Sequence, residues 1–522
     1  MSPRAAWLGG LLAVLLAGPF GRPAPAAGVG VDPVQALRVW VQRLDRFRSD
    51  FDVESESKLR ELLDEVRLVR LGAPERAREC DVALLETAAH RWRARPERAR
   101  MRDLKPGMDR EVLVSLLAIQ RLERLLDGGY GDELARWLGL EVLGRPDLYP
   151  LEQRVAAADL FHGRFHPDTQ SVLFATARAE EPLLRETAFR SLSGWEDAAV
   201  HLFVLEALER ERVSLPIALA HLEATREHLG PQALDRLRAY GSRLLVASDW
   251  RDAIRALRLM PILDVARSAP LLIEALAIWT RRLEDGSGTL RVQHEVLREL
   301  KRISGRSIGA HPDRWNLWWK AVQEGRVEAL EGDGARAVTA ATFFGLRPVS
   351  DRVLFVVDRS GSMASGFGTT GRTRYEEAVD QLVGFTEGLG DDGRFGVTLF
   401  HSGATRWRSK LADANQANRK AARRWLAART PEGGTELYQG LATALQLDRK
   451  GRVDTTRLAA DTVIVLCDGR TAEGPGWVDG WLESVNDEAQ LVFYCVEIGR
   501  GGDGTLQRLA NGTGGDYIRI DG

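Results

Sequence analysis

From about Val31 to Gly325 apolar residues recur every three or four positions, as in Leu37, Val41, Leu44 and Phe47, or Val112, Leu116, Ile119, Leu122 and Leu126. That spacing predicts amphipathic helices. β-Branched runs are rare in this stretch, and the good helix formers Ala, Leu, Arg and Glu dominate it. Breakers interrupt it at short intervals: Gly72-Ala-Pro74, Pro106-Gly107, Gly128-Gly129, Arg145-Pro146, Pro182, Pro216, Gly230-Pro231, Pro261 and Pro270. The pattern predicts helices of about 12 to 16 residues joined by short turns and stacked in pairs.

Beyond Gly325 the helical period is lost, and Glu331-Gly-Asp-Gly334 and Arg347-Pro348 mark a boundary. Strong apolar runs then appear at Val353–Val357, Phe395–Phe400, Thr462–Cys467 and Leu491–Ile498, with a shorter one at Tyr517–Ile520. Helical stretches lie between them, at Arg374–Gly388, Ala414–Ala428, Glu436–Leu447, Trp477–Asn486 and Thr505–Asn511. Strands alternating with helices predict a doubly wound, mostly parallel α/β sheet. Ala404–Ser409 is expected as a short edge strand. The expected organisation is a helical region over 28–325, a linker over 326–350 and a sheet domain over 351–522.

In such a sheet, ligands bind beyond the carboxyl ends of the strands, where strand order reverses. The first strand ends on Asp358-Arg-Ser360-Gly-Ser362, and Thr462–Cys467 ends on Asp468. Between them, Gly433-Gly434 precedes Thr435 at the start of a helix. Two carboxylates and three hydroxyls are therefore expected on one rim. Asp358, Ser360 and Ser362, with Thr435 and Asp468, resemble the five elements of the metal-ion-dependent adhesion site of the von Willebrand factor type A (vWA) domain. Leu509–Tyr517 resembles that family's closing helix, turn and strand. The resemblance covers about Asp351 to the end, roughly a third of the chain. Cys467 departs from it, because the second aspartate usually follows Thr.

The resemblance implies a Rossmann-like fold and a divalent cation, Mg²⁺ or else Mn²⁺ or Ca²⁺, held by those five residues. Mg²⁺ takes six oxygens at about 2.1 Å. Neutral hydroxyls fill several positions and the aspartates act directly or through water, so the ion stays electrophilic. By family resemblance, an Asp or Glu of a partner protein completes the site. In the helical region, Arg185–Leu192, Arg251–Leu257 and Val296–Leu300 can each be laid over the first helix of a repeat. With units of about 30 to 45 residues, the region resembles a degenerate HEAT-type α-solenoid. Such an array offers a surface to a second protein, or serves as a spacer.

Composition limits the alternatives. Net charge is −2 over 522 residues, which gives no whole-protein argument for nucleic acid or an anionic membrane as a partner. The basic run Arg406–Arg429 lies on an expected helix and loop, shows no aromatic stacking pattern and reads as a solvated helix face. Cys80, Cys467 and Cys495 form no disulfide framework and no metal-ligand spacing; the latter two read as small buried hydrophobes. Trp315, Trp318 and Trp319 read as a cap on a helical core, and His162 and His166 as ordinary surface histidines. At the amino terminus a positive charge, the apolar Ala5–Ala17 and the small-x-small Ala24-Pro-Ala26 follow in the order of a secretory signal over 1–27. The apolar run is shorter than the ~20 residues of a membrane span. These features predict export to the periplasm, cell surface or medium. The chain contains no Gly-x-Ser-x-Gly, His-Glu-x-x-His or Walker motif. The expected function is therefore a non-enzymatic, metal-dependent protein-binding module. The alternative is a hydrolase or other enzyme using a site without a recognised motif, with His401 as its candidate residue.

Overall fold

The computed structural model describes residues 32–46, 53–94, 110–325, 343–346, 348, 350–369, 371–389, 393–499 and 501–520. The expected export signal and most of the expected linker lie outside the described residues. The chain divides into two compact units, Met1–Val200 and His201–Gly522. No helix among the described residues is long and apolar enough to cross a membrane.

The first unit is helical, as its periodicity predicts. Its longer helices are Pro33–Arg46, Val53–Gly72, Ala77–Ala88, Arg110–Leu126, Leu151–Leu160 and Pro182–Ser191. Leu63, Leu84, Leu117 and Val155 are fully enclosed in its core. Two ion pairs are also buried there, Arg70–Asp81 at 3.1 Å and Arg91–Asp159 at 2.9 Å. His162 Nδ1 lies 2.8 Å from Arg190 O, and Pro167 opens a 3₁₀ turn that separates His162 from any helix beyond.

The second unit begins within the helix Ala198–Glu209 and continues with helices α1 (Leu215–Ala224), α2 (Pro231–Leu245), α3 (Trp250–Leu259), α4 (Val265–Glu284), α5 (Leu290–Ser304) and α6 (Pro312–Gln323). Asp249, Asp264 and Thr289 cap α3, α4 and α5 by accepting from backbone N–H groups. Pro231 and Pro312 stand in the first turn, where a missing N–H leaves no helical bond unmade. Pro270 is an exception to its expected role as a breaker, since it lies inside α4. It falls in the second turn, so a single helical bond is lost. Successive helices pack as α2 on α3 and α4 on α5. The windows Arg251–Leu257 and Val296–Leu300 fall on the second member of each pair, not the first. Trp315 and Trp318 are buried on α6, edge to face with ring centroids 5.6 Å apart, and cap the helical core as expected.

The sheet has the order β3-β2-β1-β5-β6-β7, with β1 (Arg352–Asp358), β2 (Arg394–Phe400), β3 (Ala404–Arg406), β4 (Ala412–Asp413), β5 (Thr462–Cys467), β6 (Val492–Ile498) and β7 (Tyr517–Ile520). The five main strands run parallel, while β3 and β4 pair antiparallel with the outer edge of β2. Continuous apolar strands follow from burial on both faces. Val353, Phe355 and Val357 pack against α7 (Arg374–Gly388) and α8 (Gln416–Ala427). Leu354 and Val356 face α9 (Leu437–Leu445), the segment 478–489 and α10 (Thr505–Thr513). Phe343 and Leu346, from the expected linker, are buried in the first of these cores. The helix expected at Trp477–Asn486 is a succession of short 3₁₀, α and π turns. It still places Val478, Trp481, Val485 and Ala489 in the core.

Helices α3 and α5 dock on the edge where the strands begin. Buried Asp461, just before β5, accepts from Thr289 Oγ1 at 2.8 Å and Thr462 Oγ1 at 3.0 Å, and also from Ser350 Oγ. Arg291 Nη1 donates to Asp461 O at 2.9 Å and also to Gln490 O. Arg251 donates to Ala489 O at 3.3 Å and also to Leu458 O.

Candidate metal centre

β1 pairs with β2 on one side and β5 on the other. The strand order therefore reverses at β1, and the carboxyl ends of β1 and β5 flank the crevice. Asp358, the last residue of β1, has no exposed surface. Its Oδ1 accepts from Ser360 N at 2.7 Å. Its Oδ2 accepts from Cys467 Sγ at 3.2 Å and, more weakly, from Asp468 N at 3.5 Å. Burial pushes the carboxyl up to about 6, against the lowering effect of the Ser360 donors.

After Asp358 the chain makes a 3₁₀ turn, Gly361–Ala364, closed by Met363 N donating to Ser360 O at 3.0 Å. Met363 is fully buried and pins this turn to the core. Ser360 Oγ and Ser362 Oγ are 3.0 Å apart, and Ser362 Oγ donates to Asp468 Oδ1 at 2.7 Å. Ser360 is enclosed and Ser362 exposed, so the row of oxygens leads from the core to the surface.

The loop carrying Thr435 is fixed by its backbone. Glu432 N donates to Arg359 O at 2.8 Å, Gly361 N to Gly433 O at 3.1 Å and Ala472 N to Thr435 O at 2.8 Å. Thr435 is thereby held between the loops that follow β1 and β5, with its side chain half-buried. Gly433 is required here: its φ is +74°, and a Cβ would lie 2.9 Å from Ser402 Oγ and 3.0 Å from His401 Nδ1. His401 and Ser402 support this turn, with Gly434 N donating to Ser402 Oγ at 2.7 Å and Glu436 N to His401 O at 3.0 Å.

The structure thus brings Asp358, Ser360, Ser362 and Asp468 into one hydrogen-bonded group and seats Thr435 on the adjoining loop. Among the described residues, no three His, Cys, Asp or Glu side chains cluster as a metal site. A cation on this rim would rest on hydroxyls and two carboxylates, a donor set suited to a hard ion. The spacing also fits. Oxygens about 2.1 Å from an octahedral ion stand about 3.0 Å apart along an edge, the separation of the two serine hydroxyls.

Residues 351–518 match the von Willebrand factor type A domain. Over this domain the chain is 29% identical to inter-alpha-trypsin inhibitor heavy chain H1 of Bos taurus across 166 residues, 31% of this chain and 18% of that protein. It is 31% identical to heavy chain H4 of Homo sapiens across 182 residues, 34% of this chain and 19% of that protein. The matched stretch spans less than a fifth of each of these curated relatives. Among solved structures, a von Willebrand factor type A protein from Catenulispora acidiphila is 22% identical, with a TM-score of 0.27, over 34% of this chain and 40% of that one. BatB from Bacteroides thetaiotaomicron is 18% identical, with a TM-score of 0.26, over 32% of this chain and 89% of that one.

Two features of the vWA domain rim were not expected from the sequence. Cys467 is buried as expected, but its thiol also donates to Asp358. Burial, reinforced by the neighbouring Asp358 charge, pushes that thiol well up and keeps it protonated. Arg374, the first residue of α7, donates from Nη1 to Asp468 Oδ2 at 2.8 Å. A cation at a helix N-terminus opposes the helix dipole, and the Asp468 carboxylate offsets that cost, but the sequence position alone does not say which anion the side chain reaches.

Proposed function

We propose that the vWA domain is a metal-dependent protein-binding module, not an enzyme. In this reading Asp358, Ser360, Ser362, Thr435 and Asp468 hold Mg²⁺, with Mn²⁺ or Ca²⁺ as chemically admissible substitutes. The bound ion captures an Asp or Glu of a partner protein. The observation that carries the reading is the row Ser360 Oγ, Ser362 Oγ and Asp468 Oδ1, at 3.0 and 2.7 Å, above buried Asp358 at the strand reversal. Hydroxyls bring no charge, so the cation retains the electrophilicity that attracts a carboxylate. Asp358 has both oxygens engaged by protein donors and would contribute its charge from beneath, through water. Similarity to the inter-alpha-trypsin inhibitor heavy chains supports an interaction role over a catalytic one. The order of charge, apolar run and small residues in Met1–Ala27 supports export to the periplasm, cell surface or medium. The helical region, read as HEAT-like, would then offer a second protein surface.

Calorimetry on the purified chain tests the metal site. Asp358→Ala and Thr435→Ala are each expected to abolish Mg²⁺ and Mn²⁺ binding while leaving the far-ultraviolet circular dichroism unchanged. Unchanged affinity in both variants would overturn the reading. Recovery of a partner from an exported fraction should require Mg²⁺ and fail after chelation.

A further inference from the structure

The segment between the metal-site turn and α7 doubles back on itself. Gly366 and Thr373 form an antiparallel bridge, Phe367 N donates to Arg372 O at 2.8 Å, and Arg374 N donates to Ser365 O at 2.9 Å. Thr373 then caps α7 in a capping box with Glu376, which fixes the direction in which the helix leaves. These contacts return Arg374 to the rim. Its Nη1 donates to Asp468 Oδ2 at 2.8 Å, with the carboxylate side chain fully enclosed and the arginine side chain 20% exposed. Gly499, whose φ of +94° favours glycine, lies after β6 beside the guanidinium; a Cβ there would meet Arg374 Nη2 at 3.4 Å, an ordinary contact. Asp468 is therefore divided: Oδ1 takes the Ser362 hydroxyl and Oδ2 takes Arg374.

We propose that Arg374 is an internal counter-ion that weakens the hold of the site on its cation and thereby tunes it to require an anionic partner. The inference rests on the metal-binding reading above. Two aspartates alone would offset the charge of a divalent ion and leave its attraction for a carboxylate to the local electrophilicity of the ion. The Arg374 charge leaves the loaded centre with one net positive charge, which a partner's Asp or Glu neutralises. A like charge one carboxylate away from the ion, at the effective dielectric of a partly exposed rim, weakens ion binding by roughly 10- to 100-fold. The same charge strengthens capture of an anion, so cation and partner bind cooperatively.

The test compares the full-length wild type with Arg374→Gln and Arg374→Lys, using Mn²⁺ alone and then acetate as the carboxylate probe. Calorimetry should show Mn²⁺ bound roughly 10-fold or more tightly by Arg374→Gln than by wild type. Arg374→Lys keeps the charge and should remain within about 3-fold of wild type, a margin well inside the effect of removing it. Acetate added to the Mn²⁺-loaded protein should lower water-proton relaxation by displacing a bound water. That fall should need several-fold more acetate in Arg374→Gln. Thermal unfolding in chelator should show Arg374→Gln destabilised, because Asp468 loses its counter-ion, with Arg374→Lys in between. If the wild type binds no divalent ion, the metal reading and this inference fall together. If it binds Mn²⁺ but Arg374→Gln binds equally or more weakly, the metal reading stands and the counter-ion role is overturned. The counter-ion role is equally overturned if Arg374→Lys matches Arg374→Gln in Mn²⁺ affinity.

Discussion

Cys467 donates a thiol hydrogen to Asp358 where the vWA resemblance leads one to expect a threonine hydroxyl. A thiol is the weaker donor, so the buried carboxylate is less fully compensated, and this fits the upward displacement of its pKa to about 6. In the metal-free state a buried anion is a liability. Asp358→Asn is therefore expected to leave the chelated protein as stable as wild type at pH 8, or more stable by ~1 kcal/mol. The same variant should lose the stabilisation that Mg²⁺ gives to wild type. Urea unfolding with chelator and with saturating Mg²⁺ checks both halves, and a large loss of stability in chelator would contradict the argument. Four of the five candidate ligands sit within a few residues of a strand end, where the periodicity of an apolar run tells where the polar rim begins. Thr435 was legible from Gly433-Gly434, which announces the turn ahead of a helix. Arg374 was not legible as a rim residue, because position at a helix start leaves the direction of a long side chain open.

At the scale of elements, the strands and α7 fall where alternation and apolar runs place them, and the exceptions have local causes. The interrupted helix after Trp477 contains Gly480, and its buried positions are spaced by three, four and four residues, which a regular helix and a widened turn serve equally. In the sequence of the helical region Arg counts only as a helix former, yet in α3 and α5 it joins the helices to the sheet. Arg251 and Arg291 are buried and donate to main-chain carbonyls at the beginnings of the strands. Asp461 O also accepts from Val492 N at 3.2 Å, and Ala489 ends a short helical turn, so the arginines complete the bonding of main-chain oxygens at chain turns that are costly to bury unpaired. Arg291→Met should leave Asp461 O and Gln490 O without this donor and destabilise the second unit by ~2–3 kcal/mol. Chemical denaturation measures this directly. An effect below ~0.5 kcal/mol, the size of an ordinary surface change, would mean that water replaces the guanidinium without loss.

For the molecule as a whole, the change of composition at 325–350 marks where helices give way to sheet, while helices before it pack against the sheet after it. Helices from 201 onward and the sheet form one compact unit. The contacts that join them lie at the beginnings of the strands, and the candidate metal site lies at their ends. A ligand that binds only the folded state stabilises every part that unfolds with the site, by about 2.7 kcal/mol at a hundred times its Kd. If α4, α5 and β1 open together, saturating Mg²⁺ should slow amide exchange by the same factor, roughly 100-fold, in peptides from 265–304 and from 352–358. Removing the arginine contacts with Arg251→Met and Arg291→Met should confine the protection to the sheet, since the helices could then open without breaking the site. Hydrogen exchange followed by mass spectrometry reads both regions in one experiment. Protection confined to 352–358 in the wild type would show that the helices and the sheet, although packed as one body, do not unfold as one.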